Sequence, residues 1–146
     1  MLENVLVPTD GTELSAKAAA YAVQLAKKLG AKVTAMTVTT PAESMLIGEV
    51  MIVRHPAEYE AKAAAQAQVV LSVIDNLAKA AGVSCETIHV RNALPWHGIL
   101  ETAKSKAADV IVMASHGRRG LSAMLIGSET QKVINHSHIP VLIYRS

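Results

Sequence analysis

The sequence predicts an α/β fold: a doubly wound, five-stranded parallel sheet in the order 3-2-1-4-5, with helices on both faces. Three observations carry this expectation. Short apolar, β-branched runs alternate with longer stretches of helical periodicity along the whole chain. The run Asp109-Val110-Ile111-Val112-Met113 is almost wholly apolar, as in a strand buried on both faces of a parallel sheet. Breakers stand where the elements change, with Pro8, Gly30, Gly82, Pro95 and Pro140 each beside a predicted boundary.

Asn4-Val5-Leu6-Val7-Pro8 reads as a first strand ended by a breaker. Thr12-Glu13 opens a helix with Leu14, Ala18, Ala22, Leu25 and Leu29 on one face, and Gly30 stops it. Lys32 to Val38 forms the second strand. The connector from Thr39 to about Pro56 is longer than most loops in small domains. Its clusters Met45-Leu46-Ile47 and Val50-Met51-Ile52-Val53 suit core coverage, a lid or a partner contact, and the sequence does not choose among them. From about Ala57 to Ala81 an alanine-rich helix places Ala63, Val70, Val73, Ile74, Leu77 and Ala81 near one stripe, with Gly82 as its stop. Cys85 to Val90 is the third strand. Pro95 suits the first turn of a third helix that runs through Ile99, Leu100 and Ala103 to about Ala107, ahead of the fourth strand at Asp109. Ser128-Glu129-Thr130-Gln131 fits a capping box, so Gly127-Ser128 opens a fourth helix, and Pro140 to Tyr144 is the last strand. No repeat, linker or low-complexity tract interrupts the order, and residues 1–146 are expected to form a single domain.

Composition narrows the function. With 51% hydrophobic residues there is ample core material, and a formal charge of +2 from 14 basic and 12 acidic residues gives no strong field for nucleic acid. Tyr21, Tyr59, Trp96 and Tyr144 are too scattered to form a stacking platform for single strands. Val5-Leu6-Val7 is far too short for a secretory core or a membrane span, and Glu3 stands where a signal segment would be basic, so a cytoplasmic location is expected. Cys85 is a lone thiol that suits packing, and no Cys/His spacing suggests a zinc site.

The chemistry concentrates in Ala114-Ser115-His116-Gly117-Arg118-Arg119-Gly120, followed by Gly127-Ser128. A glycine loop that leaves a buried strand and enters a helix start offers backbone N–H groups and a helix dipole to an anion such as phosphate. In the order 3-2-1-4-5 the sheet reverses between the first and fourth strands. That crevice brings Pro8-Thr9-Asp10-Gly11 beside Ala114 to Gly117. Several of these residues also have plain structural readings. Asp10 with Glu13 suits a helix cap, Ser128 an N-cap and His116 a structural histidine, while His136 and His138 suit caps near a helix end. Of Arg118 and Arg119, at most one is expected to engage an oxyanion. Trp96 is expected to anchor the third helix on the sheet.

Three segments together resemble the universal stress protein family, in its ATP-binding branch, over essentially the whole chain. They are Val7-Pro8-Thr9-Asp10-Gly11-Thr12-Glu13; Val110 through Gly120; and Gly127-Ser128 leading to Ile139-Pro140-Val141-Leu142-Ile143. The family's nucleotide motif is glycine, two residues, glycine, nine residues, then glycine with serine or threonine. Gly117, the nine residues Arg118 to Ile126, and Gly127-Ser128 match it in register, while Ala114 replaces the first glycine. If that position needs a positive φ, alanine strains it; if it needs only a small residue, alanine serves. The resemblance implies a Rossmann-like fold with ATP as ligand. The β- and γ-phosphates would lie on the backbone N–H groups of Gly117, Arg118, Gly127 and Ser128, and Mg2+ or Mn2+ would bridge them. Asp10 would face ribose or metal, and main-chain atoms at Val38 would hold adenine. Pro8, Thr9, Ala114, Ser115, His116, Glu129 and Thr130 complete the implied nucleotide site.

Phosphoryl transfer needs charge neutralisation and an oriented acceptor, and the chain has neither a Gly-x-x-x-x-Gly-Lys-Ser/Thr loop nor a Gly-x-Ser-x-Gly elbow. The expected role is therefore an ATP-binding stress or regulatory protein with little or no hydrolysis. A nucleotide-free interaction module, favoured by Ala114, and a slow phosphohydrolase using His116 or Asp10 are the alternatives. Val141-Leu142-Ile143-Tyr144 carries no charge before Arg145, so an edge position would expose it to pairing. A two-fold dimer through that strand is expected, with a protein partner possible in addition.

Overall fold

The computed structural model describes residues 2–44, 55–117 and 125–145. Its elements run β1 (Asn4–Pro8), α1 (Glu13–Leu29), β2 (Lys32–Thr39), a 3-10 turn (Ala42–Ser44), α2 (Pro56–Ala81), β3 (Cys85–Arg91), α3 (Pro95–Ser105), β4 (Val110–Ala114), α4 (Ser128–His136) and β5 (Val141–Tyr144). One five-stranded sheet results, in the order β3-β2-β1-β4-β5, with every neighbouring pair parallel. This is the fold class and strand order that the sequence predicts. The hydrophobic clusters Met45-Leu46-Ile47 and Val50-Met51-Ile52-Val53 of the connector, and Arg118 with Arg119, lie outside the described residues.

Alternation along the strands divides the core between two helical layers. Val5, Val7, Val33, Ala35, Val110 and Val112 face α1 and α2, where Ala22, Val23, Leu71 and Ile74 complete a cluster almost closed to solvent. The intervening Leu6, Met36, Ile111 and Met113 face the opposite layer, built by Ile99 and Ala103 of α3 and Val133 of α4. Because β1 and β4 are covered on both faces, all their residues are buried. Among the described residues no helix is long and apolar enough to cross a membrane.

The predicted stops and starts hold for the first two helices. Thr12 caps α1 by accepting the Ser15 N–H at 3.2 Å, and Gly30 and Gly82 end α1 and α2 in left-handed conformation, at φ 67° and 73°. The buried stripe of α1 is rotated from the expected face. Ser15, Ala18, Ala19, Ala22, Val23 and Ala26 are buried, whereas Leu29 is 43% exposed. Small alanines let α1 approach the sheet and α2 closely, so the larger leucines stand at the margins. In α2 the stripe is Ala67, Val70, Leu71, Ile74 and Ala78, and Val73 of the expected set points outward at 45% exposure. The capping box expected at Ser128 does not form. Gly127 takes the N-cap position and Ser128 is the first helical residue. Gly127 is held there because its N–H donates to the Ser115 carbonyl at 2.7 Å, which draws the helix start one residue back.

Buried polar groups set the register of the central strands. Asn4 Oδ1 accepts from Thr34 Oγ1 at 2.9 Å while its Nδ2 donates to the Lys106 carbonyl at 2.9 Å, tying β1 to β2 and to the end of α3. Asp109 accepts from the N–H groups of Glu3 and Asn4 at 2.8 and 2.9 Å, which fixes β4 beside β1. Those hydrogen bonds, Glu3's before Asn4's, hold its carboxyl below the usual aspartate range.

Candidate functional site

At the carboxyl ends of the strands, the chain leaves β1 toward one face and β4 toward the other, and a cavity of about 500 Å³ opens between the two loops. The β1 loop is pinned from below. Thr9 N–H donates to the Met36 carbonyl at 2.9 Å, Thr37 Oγ1 donates to the Thr9 carbonyl at 2.7 Å, and the Thr9 and Ser15 hydroxyls are 3.0 Å apart. Gly11 turns the chain at φ 82°, a conformation a side chain would strain. Asp10 is thereby aimed over the sheet end, and its Oδ1 accepts from the Thr12 N–H at 3.0 Å and the Thr12 hydroxyl at 2.6 Å. Asp10 is not the cap of α1; it orders the residue that is.

The opposite wall comes from β4 and α4. Ala114 lies in regular strand conformation, paired with Tyr144, and among the described residues only Ala107 is a non-glycine with positive φ. The position where the family motif has glycine therefore needs no left-handed backbone here, and the methyl group is accommodated. Thr130 Oγ1 donates to the Ala114 carbonyl at 3.1 Å, locking the first turn of α4 onto the end of β4. Gly117 and Gly127 are glycines by close approach. A Cβ on Gly127 would stand 3.0 Å from His116 Cα, and one on Gly117 would collide with Asp10 Oδ2.

Around this cavity the structure brings together Pro8, Thr9, Asp10, Val38, Ala114, His116, Gly117, Gly127, Ser128, Glu129 and Thr130, all named from the sequence. Ser115 of the expected set is buried beneath the wall. Its N–H donates to the Tyr144 carbonyl at 2.9 Å, its own carbonyl accepts from Gly127, and its hydroxyl lies 3.2 Å from His116 Nδ1. That neighbour of the His116 ring is a hydroxyl, not the carboxylate a general base would use for orientation. Sequence reasoning missed Ser15, Met36, Thr37, Pro95, Ile99 and Met113, which line the same cavity. Thr37 and Pro95 had a usable signal, since every crossover in a doubly wound sheet starts at the carboxyl edge. Met36, Ile99 and Met113 have no such mark, being core residues that the cavity happens to reach.

The apolar part of the lining, Met36, Val38, Pro95, Ile99 and Met113, suits a flat ring, and the glycines with the α4 N-terminus suit an anion. Among the described residues no cluster of three or more metal-ligating side chains occurs. Trp96 packs against the α3–α4 core and stacks on His136, with ring centroids 4.7 Å apart, so it anchors α3 to α4 as well as to the sheet. Cys85 sits far from the cavity, its thiol pushed up by burial in keeping with a packing role.

Residues 1–145 match the model of the Universal stress protein family. The chain is 37% identical over 149 residues to Universal stress protein YxiE of Bacillus subtilis, covering 99% of this chain and 100% of that one. It is 31% identical over 154 residues to Universal stress protein MJ0531 of Methanocaldococcus jannaschii, covering 99% and 83%. Among solved structures, protein MJ0577 of the same organism superposes with a TM-score of 0.81 at 25% identity, covering 100% of this chain and 97% of that one. A universal stress protein crystallised in complex with cAMP superposes at 0.72 with 26% identity, covering 99% and 97%. With its sheet order, its loops and these likenesses in agreement, the chain belongs to the universal stress protein family.

Proposed function

We propose that this chain is a cytoplasmic stress-response or regulatory protein that binds an adenine nucleotide, ATP above all, and hydrolyses it slowly or not at all. The carrying observation is the cavity at the β1–β4 reversal, apolar beneath β2 and α3 and bounded at its other end by the glycines and the first turn of α4. The cAMP complex of a relative 26% identical supports an adenine nucleotide as the ligand class. In this reading adenine packs near Val38, and the phosphates meet backbone N–H groups at Gly117, Gly127 and Ser128. A divalent Mg2+ or Mn2+ would bridge the phosphates, with the Asp10 carboxylate the acidic side chain at hand on the β1 side. Slow hydrolysis follows from a sequence with no P-loop lysine motif.

A second part of the proposal concerns assembly. β5 is an edge strand, its four residues are half-buried, and Tyr21 of α1, 46% exposed, packs on Tyr144 with centroids 5.7 Å apart. A two-fold dimer through Val141, Leu142, Ile143 and Tyr144 would cover this edge.

Mass spectrometry of small molecules released by denaturing freshly purified protein, followed by calorimetry with ATP and magnesium on the stripped protein, tests the nucleotide reading. Released ATP or ADP, or saturable heat on titration, is expected. The absence of both a released nucleotide and any binding heat would overturn it.

A further inference from the structure

Among the described residues that line the cavity, the two with a formal side-chain charge at neutral pH are Asp10 and Glu129, and both are negative. The position of Glu129 is specific. It follows Ser128 in the first turn of α4, and its Oε1 accepts the Trp96 backbone N–H, in the first turn of α3, at 3.2 Å. One carboxylate thus joins the N-termini of α3 and α4, the two ends whose fields favour an anion. Its other oxygen lies 3.6 Å from Lys132 Nζ, a half-exposed pair that solvent screens.

Building on the nucleotide-binding reading above, we propose that Glu129 is a specificity-determining residue that reads the charge of the phosphate tail. An anion belonging to the protein already occupies the field of these helix ends. Each phosphate charge brought to Gly127-Ser128 then meets like-charge repulsion from this carboxylate. Nucleotides with little uncompensated tail charge, namely monophosphates, cyclic phosphates and cation-chelated polyphosphates, are favoured over free polyphosphates. The carboxylate also staples α3 to α4, so the two roles must be separated. Glu129→Gln does this, because an amide oxygen still accepts the Trp96 N–H while the charge is gone.

The test is calorimetry of wild type and Glu129→Gln with adenosine, AMP, ADP and ATP, in low salt with a chelator present. Measured against each protein's own adenosine affinity, the variant's gain is expected to rise along the series to about three- to tenfold for ATP. That gain should shrink in about 1 M salt, where screening acts over about 3 Å. Glu129→Ala, which also loses the staple, should show the same rising gain, and Trp96 fluorescence reports whether the α3–α4 junction is intact in each variant. Equal changes for adenosine and ATP, or none for either, would overturn the inference while leaving the nucleotide reading standing. Failure of both proteins to bind any of the four ligands would overturn that reading and this inference with it.

Discussion

Gly117 lies hard against the carboxylate of Asp10, so that a methyl group replacing its hydrogen would collide with Asp10 Oδ2. Two loops 107 positions apart in sequence are thus fitted to each other at the mouth of the cavity, and the glycine is there for space, its φ being outside the left-handed region. Gly117→Ala should cost about 1 kcal/mol of stability, because Asp10 is held by Thr12 and must be displaced. In an Asp10→Ala background the same substitution should cost nearly nothing. Urea denaturation of the four proteins in this cycle measures the coupling, and an equal cost in both backgrounds would show that the two residues do not meet.

The helix ends predict opposite effects for glycine and alanine. Gly82 ends α2 at φ 73°, so Gly82→Ala should destabilise by about 1 kcal/mol. Ala107, just beyond α3 at φ 51°, carries that strain already, and Ala107→Gly should stabilise by up to about 1 kcal/mol despite the added chain entropy. Thermal midpoints of the two variants should move in opposite directions.

Acid should weaken the β1–β4 junction. The Asp109 carboxyl is held below its ordinary range by the Glu3 and Asn4 N–H groups, so its ionised form stabilises the fold at and above the unfolded-state value near pH 4. That contribution is lost as pH falls through the depressed folded value. The stability difference between wild type and Asp109→Asn should therefore be full at pH 5 and shrink as pH falls below about 4. Denaturation at a series of pH values checks the sign, and a difference that grows on acidification would contradict it.

Sedimentation at low micromolar concentration should show a two-fold dimer, and Ile143→Lys on the edge strand should shift it toward monomer. Wild-type protein that sediments only as monomer would remove β5 as an interface.

Much of this was legible in the sequence because backbone chemistry is local. Gly30 and Gly82 had to end helices, Thr12 had to cap one, and the uninterrupted apolar run after Asp109 had to be a central strand. The phase of α1 was not legible, since alanines at 18, 19, 22 and 26 carry almost no directional signal and the leucines that do lie at its edges. The N-cap of α4 was misassigned by one residue because the Gly127 N–H to Ser115 carbonyl bond is a tertiary contact, invisible to a local capping rule. Gly117 and Gly127 were found from motif spacing and Asp10 from its place at the reversal point of the sheet, whereas Met36, Ile99 and Met113 of the lining emerge only once the strand ends are stacked in register.

The most direct test of the account is the amide NMR spectrum of labelled protein titrated with ATP and magnesium. The amides of Asp10, Val38, Gly117, Gly127, Ser128 and Thr130 should shift together and saturate at one affinity, while those of Gly30 and Gly82 at the opposite end of the sheet stay still. A saturating shift confined to residues away from the β1–β4 crevice, or no shift at millimolar nucleotide, would contradict it.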